Sequence, residues 1–223
     1  MGKKVFGKDV NLTIKEIIKK EDCALIVIDM QNDFCSEGGH YDKCGKDLND
    51  IRKMIPDLSK LVIDARKRGV LVIYIQNTHL PNGADLSPSV IAHKLKRWED
   101  ESKLSYTLEG TWGHQIIDNL KPQQRELIVK KHRASAFVGT DLDLILRSSG
   151  KKTIIITGVI TEGCVESTAR DGWLKDYYVV VVEGCIASCT PEFHDAQLKL
   201  MKHIYFVVSL EELIQMWGKD QLI

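Results

Sequence analysis

Six short apolar runs, rich in β-branched residues, punctuate the chain at 24–28, 70–75, 126–129, 153–159, 178–182 and 204–208. Each is nearly continuous in apolar residues instead of alternating with polar ones. That is the pattern of strands buried on both faces, as in a parallel sheet. After the first run, residues 50–68 set Ile51, Met54, Ile55, Leu58, Leu61, Val62 and Ala65 at helical spacing and stop at Gly69, a helix closed by glycine. Residues 141–147, 191–201 and 210–217 read as further helices, and 89–98 as one inside the long stretch 77–113. That stretch exceeds an ordinary connection and is expected to form a lid or an oligomer contact. No repeat, low-complexity tract or linker divides the sequence. The alternation predicts an α/β fold, a three-layer α/β/α domain over 1–223. Its sheet is open, six-stranded and mostly parallel, with helices on both faces.

Composition narrows the function. Of the 223 residues, 43% are hydrophobic, enough to fill a sizeable core. Lys+Arg and Asp+Glu both number 31, so the chain lacks the basic surplus that nucleic acid or an anionic membrane surface attracts. No apolar run approaches the roughly 20 residues of a membrane span. Met1-Gly2-Lys3-Lys4-Val5 carries no apolar signal stretch, and six irregularly spaced cysteines suit reduced thiols. The expected compartment is the cytoplasm.

Open parallel sheets bind ligands outside the carboxyl ends of their strands, so chemistry is sought just after each apolar run. After the first stands Asp29, after the third the cluster Lys130-Lys131-His132-Arg133, and after the fourth Cys164 at the start of a predicted helix. Taken singly, each has a bland reading: a capping acid, a solvated basic loop, an inert buried thiol. Taken together, an acid, a cation and a thiol on separate central strands can converge on one pocket. The helix start and the ammonium are expected to lower the thiol pKa and favour thiolate, while a nearby carboxylate can take and return its proton.

At these residues the chain resembles the isochorismatase-like cysteine hydrolases, which include nicotinamidases and N-carbamoylsarcosine, ureidoacrylate and biuret amidohydrolases. The resemblance runs from Ala24 to Trp217. It is carried by Asp29-Met30-Gln31-Asn32-Asp33-Phe34, Gly110-Thr111-Trp112-Gly113, Lys131-His132-Arg133-Ala134-Ser135-Ala136-Phe137 with Gly139-Thr140-Asp141-Leu142, and Gly158-Val159 through Cys164-Val165 to Thr168-Ala169-Arg170-Asp171. It implies a triad of Asp29 as base and acid, Lys131 as the orienting charge and Cys164 as nucleophile. It also implies a cis peptide between Val159 and Ile160, with the backbone N–H groups of Ile160 and Cys164 as an oxyanion hole. Lys130 competes with Lys131, but its distance from Phe137 does not fit the family motif, and strand alternation sends it to the opposite side.

The resemblance also bears on substrate and metal. Nicotinamidases carry Asp-x-His plus a second His after the second strand to hold a divalent metal. This chain has Gln76-Asn77-Thr78-His79 there, and an amide is a poor ligand for such metals. No metal or other cofactor is therefore expected, with His79 and His93 as the residual candidates. The Gln76-Asn77 pair resembles the ureido-type branch, where such an amide helps hold a carboxamide or urea. Phe34, Tyr106 and Trp112 are expected to wall the pocket. Arg133 clamps a substrate carboxylate or pairs with a structural acid. Ureidoacrylate relatives usually carry Tyr where Ala134 stands, so their substrate does not transfer directly. The leading expectation is a cysteine hydrolase of a small amide or ureido compound, working through a thioester as a homodimer or homotetramer. Isochorismate-type vinyl-ether hydrolysis, with Asp29 as acid and Cys164 idle, is one alternative. A catalytically silent binding subunit is the other.

Overall fold

The computed structural model describes residues 3–219; residues 1–2 and 220–223, the ends of the expected domain, lie outside them. Six strands form one sheet: β3 (Cys23–Ile28), β4 (Leu71–Asn77), β5 (Leu127–Lys131), β6 (Thr153–Val159), β7 (Tyr178–Ala187) and β8 (Phe206–Ser209). Their order is β5-β4-β3-β6-β7-β8, and every adjacent pair is parallel. The chain winds outward from β3 to β5, then returns to β6 and winds outward the other way. Strand order thus reverses between β3 and β6, where a ligand crevice is expected to open.

Side-chain alternation sorts the strands into two faces. Leu25 and Val27 of β3 pack with Val72, Tyr74, Ile155, Val180 and Val182 on one side. That side is covered by α4 (Asn49–Lys67), through Ile51, Met54, Leu58, Leu61, Val62 and Ala65, and by α9 (Leu210–Lys219), through Leu213 and Trp217. Ala24, Ile26 and Ile28 face the other side. There α6 (Leu142–Ser148), α7 (Glu166–Leu174) and α8 (Pro191–Ile204) supply Leu142, Leu146, Ala169, Leu198 and Met201. The result is the three-layer α/β/α arrangement. Inside the long stretch after β4, α5 (Pro88–Trp98) is capped by the Ser87 hydroxyl, which accepts from the Val90 amide at 3.4 Å.

Several elements escaped the sequence pattern. A small antiparallel pair, β1 (Lys3–Val5) and β2 (Lys8–Val10), turns at Phe6 (φ 50°) and Gly7 (φ 77°). Its polar, solvent-facing residues gave no apolar run, although two positive φ values in a two-residue turn suit a hairpin. The short helices α1 (Ile14–Ile17), α2 (Asn32–Cys35) and α3 (His40–Lys43) span one turn each. Strand β5 continues two residues past the expected end at Val129, through the exposed Lys130 to the buried Lys131, two polar residues that give no apolar signal.

Gly158 lets β6 lie against β3. Its φ is +106°, and a Cβ there would stand 2.1 Å from the Ile28 carbonyl oxygen. Beside it the pairing of β6 with β7 shifts register, between Ile156 and Gly158. Gly158→Ala combines a positive φ with a backbone collision and is expected to cost upwards of about 3 kcal/mol. A urea unfolding midpoint lowered at unchanged slope would register that loss. An unchanged midpoint would refute the tight approach.

Candidate active site

The site is assembled from the ends of three strands. After Ile28 the backbone turns sharply at Asp29, a non-glycine residue at φ 52°. Such a conformation persists only where surrounding contacts enforce it. The Asp29 amide continues the ladder to Ile75 O at 2.9 Å, and its carboxylate Oδ1 accepts from the Asn77 amide at 3.0 Å. The residues that follow act as scaffold. The Gln31 side chain donates to the carbonyls of Asn77 and His114 and accepts from the Asn77 amide. Asn32 donates to the Trp112 carbonyl. Asp33 accepts from the His40 and Thr107 amides, against Gly113, whose absent Cβ would collide with its carboxylate. Together they tie the end of β3 to the long stretch beyond β4.

Alternation along β5 sends Lys130 outward to Glu109 and Lys131 inward. Lys131 and Asp29 are 0% and 1% exposed, and Lys131 Nζ lies 2.9 Å from Asp29 Oδ2. The same ammonium reaches Cys164 Sγ at 3.1 Å, the Arg133 carbonyl at 3.1 Å and Asn77 Oδ1 at 3.4 Å. Three N–H donors thus serve three acceptors, while Asp29 Oδ2 meets the ammonium as an ion pair and has no hydrogen-bond partner among the described residues. Cys164 arrives from β6. The Val159–Ile160 peptide is cis, a wide i→i+5 turn spans Thr161–Val165, and α7 follows directly.

The electrostatics correct one expectation. Burial raises the Cys164 thiol pKa well above its ordinary value, and the Asp29 carboxylate raises it further; Lys131 only partly opposes them. Burial also raises Asp29, with Lys131 pulling it back. Burial disfavours the Lys131 ammonium, yet Asp29 and Cys164 together hold its pKa above the usual lysine value. The reason is a charge count. Asp29 and Lys131 already neutralise each other, so a thiolate would add a net negative charge to a desolvated pocket. Cys164 therefore rests as a thiol, and not as the thiolate expected from its position before a helix.

A cavity of about 360 Å³ opens above Cys164. Phe34, Tyr41, Trp98 and Tyr106 form its aromatic wall, with Phe34 and Tyr106 edge to face at 5.8 Å. Of the expected site residues, Phe34, Asn77, Tyr106, Arg133, Ile160 and Cys164 line it. Gln76 and Trp112 do not, and Asp29 and Lys131 lie behind Cys164, outside the lining. Gln76 precedes Asn77 on β4, so alternation turns it away, and its amide donates to the His114 carbonyl at 2.8 Å. The Trp112 side chain is 51% exposed, while its carbonyl serves Asn32. Asn77 has its amide group committed, donating to Thr107 Oγ1 at 2.6 Å and accepting from Lys131. Arg133 pairs with no carboxylate among the described residues; its Nη1 donates to the carbonyls of Asp85 and His132.

The sequence reading missed Lys94, which also lines the cavity. Lys94 Nζ lies 2.8 Å from His79 Nε2 and 4.3 Å from the centre of the Tyr106 ring. His79 Nδ1 faces Asp85 Oδ2 at 2.5 Å. Burial, then Lys94, lowers the His79 pKa, so its neutral ring donates to Asp85 and accepts from Lys94. These contacts do not fit a metal at His79: both ring nitrogens are engaged, an ammonium sits on Nε2, and position 77 holds an amide. Among the described residues no cluster of three His, Cys, Asp or Glu side chains is arranged to hold an ion. His93 lies on the exposed rim.

Fold and site together define an open-sheet α/β enzyme with thiol, carboxylate and ammonium gathered where strand order reverses. The chain belongs to the isochorismatase domain family, whose profile matches residues 23–212. It is 38% identical over 179 residues to the ureidoacrylate amidohydrolase RutB of Enterobacter sp. (strain 638), covering 76% of this chain and 77% of that protein. Among solved structures, an isochorismatase-like hydrolase from Alkaliphilus metalliredigens superposes with a TM-score of 0.71 at 34% identity, covering 88% of this chain and 99% of the other. The N-carbamoylsarcosine amidase of Thermoplasma acidophilum does so with a TM-score of 0.65 at 26% identity, covering 84% and 95%. With named amidohydrolases among its relatives, the chain is a hydrolase of the amidohydrolase class.

The charge count makes a test of the thiol. Iodoacetamide reacts with thiolate, so Cys164 is expected to label slowly at pH 7 and faster as pH climbs. In Asp29→Asn the like-signed neighbour is gone while Lys131 stays, so the thiol pKa falls. Labelling at pH 7 should then quicken by roughly 10-fold or more. Peptide mapping after timed quenching isolates Cys164 from the five other free cysteines. A variant that labels no faster than the parent would refute this account.

Proposed function

We propose that the protein hydrolyses the C–N bond of a small carboxamide or ureido compound through a covalent intermediate on Cys164. One observation carries this reading: a single buried ammonium touches both Asp29 and Cys164, and Cys164 in turn lines a cavity. As the sulfur attacks the substrate carbonyl, its proton passes to Asp29. The pocket's net charge is conserved in that transfer, so a thiol of raised pKa is no obstacle. Negative charge moves to the former carbonyl oxygen, where the backbone N–H groups of Ile160 and Cys164 serve as the oxyanion hole. Each such donor contributes about 3 kcal/mol to the transition state in comparable sites. Asp29 then gives its proton to the departing nitrogen, and the C–N bond breaks to leave an acyl- or carbamoyl-thioester. Asp29 next takes a proton from water, hydroxide adds to the thioester carbonyl, and the sulfur leaves with the proton returned. Lys131 holds Asp29 and the sulfur in register throughout.

Six free thiols, with no disulfide among the described residues, suit a reducing cytoplasm. No described helix is long and apolar enough to cross a membrane. Exposed Trp173 and Leu174 on α7 and Phe193 and Leu200 on α8 support assembly as a homodimer or homotetramer; sedimentation velocity giving a monomer at micromolar concentration would overturn that part.

The chemistry is tested by rapid quenching and intact-protein mass spectrometry with a panel of amides and ureides. A covalent adduct mapping to Cys164 should form and decay with turnover. Cys164→Ala should lose it and at least on the order of 10⁴-fold in kcat. Turnover of any such substrate that survives Cys164→Ala would refute the covalent route.

A further inference from the structure

The turn that carries Cys164 is loosely tied within itself. The Ile160 carbonyl accepts from the Gly163 and Val165 amides at 3.0 and 3.4 Å, and the Thr161 carbonyl accepts from the Glu166 amide. Inside the turn Gly163 stands at φ −116° and ψ −108°, a pairing outside the regions that residues with side chains favour. The proposed oxyanion donors, the Ile160 and Cys164 amides, lie on either side of this glycine. Their directions must be held from elsewhere, because a donor displaced by about 1 Å loses much of its effect on a transition state.

The ties come from behind. Thr161 is 0% exposed, and its hydroxyl lies 2.8 Å from Nδ1 of His194 on α8. The next residue, Glu162, accepts from Ser188 Oγ at 2.8 Å, and Ser188 Oγ in turn accepts from the Thr190 amide at 3.1 Å. The connection from β7 to α8 thus grips two consecutive residues of the turn. A threonine hydroxyl often returns to its own backbone in such places. Here it is spent on α8, which fixes both its χ1 and the distance of the turn from that helix. His194 and Ser188 line a second cavity of about 290 Å³. Neither lines the cavity above Cys164, whereas Ile160, Gly163 and Cys164 do. His194 therefore acts on the turn from outside the cavity that Cys164 faces.

We infer that His194 is a positioning residue for the oxyanion hole. Through the Thr161 hydroxyl it fixes the adjoining Ile160 amide, with the Ser188–Glu162 contact as a second anchor. The inference rests on the amidohydrolase reading for the use made of that amide. Its signature is selective. Reactions at Cys164 that put negative charge on a carbonyl oxygen depend on His194, and reactions at the same sulfur that do not are indifferent to it.

Two probes separate these reactions. With p-nitrophenyl acetate the sulfur adds to the ester carbonyl through a tetrahedral oxyanion and the thiol proton passes to Asp29. The ester C–O bond then breaks, p-nitrophenolate leaves and the acetyl group stays on sulfur. With iodoacetamide the sulfur displaces iodide, and no oxyanion forms. Both rates are read at Cys164 by peptide mapping after timed acid quenching, in the parent and in His194→Ala, His194→Asn and Thr161→Val. His194→Ala and Thr161→Val should each acetylate roughly 10- to 100-fold more slowly, with alkylation nearly unchanged. The double variant should be no slower than either single one, since both remove the same contact. His194→Asn, whose amide can stand where Nδ1 did, should recover most of the rate. Unchanged acetylation in His194→Ala, equal slowing of acetylation and alkylation, or no recovery in His194→Asn would each overturn the proposal and leave the hydrolase reading in place. A parent protein that alkylates at Cys164 but never acetylates there would sink that reading, and the inference with it.

Discussion

Placing an ammonium where water cannot reach it is costly unless its donors find acceptors and its charge finds an opposite. Lys131 meets both demands by drawing three strands to one point. Asp29 comes from the end of β3, Asn77 from the end of β4, and Cys164 from just past β6. Truncating one member of such a pair typically costs about 3–5 kcal/mol, because the other is left buried and alone. The architecture around it follows from that demand. The sheet must bring β5 and β6 within reach across β4 and β3, β6 must lie tight against β3 at Gly158, and Asp29 must hold a left-handed backbone.

The same pairing bears on the order of events in the proposed reaction. Because the ion pair is neutral, the pocket accepts a proton moving within it far more readily than a new charge. In the proposed route the proton on sulfur therefore has one natural destination, the carboxylate beside it, and the nucleophile would be made at the moment of attack. This also clarifies the helix after Cys164. Its N-terminal field is a smaller influence than desolvation and a carboxylate at close range. Position before a helix is a poor guide to thiol ionisation when the surroundings are dry.

How much of this could be read from the residues depends on what kind of signal each left. The central strands announced themselves because burial on both faces leaves unbroken apolar runs. The amphipathic α4 did so because one buried face at helical spacing is equally plain. Asp29, Lys131 and Cys164 stood out as chemistry at strand ends. The exact end of β5 did not, since a buried lysine looks like a loop residue until its partners are known. Trp112 and Gln76 misled for related reasons: an aromatic near a motif gives no direction, and a polar pair on a strand cannot aim both members at one cavity. Lys94 left no signal at all. Its place depends on how the 77–113 stretch folds back, through the ties from Gln31, Asn32 and Asp33 and through Thr107. That residue is β-branched and holds a φ of 47° while accepting from Asn77.

Those ties join the two halves of the cavity into one device. The motif that begins with Asp29 spends its remaining polar side chains on the stretch that delivers Tyr106 and, through α5, Lys94. The loop carrying His79 and Asp85 follows directly from β4, whose last residue, Asn77, touches Lys131. A displacement of β4 relative to β3 would thus disturb the buried ion pair and the cavity wall together. The proposed proton transfer requires that the buried end gain no net charge, and the aromatic wall of Phe34, Tyr41, Trp98 and Tyr106 lowers the local dielectric that enforces this, so the two depend on the same placement of β4.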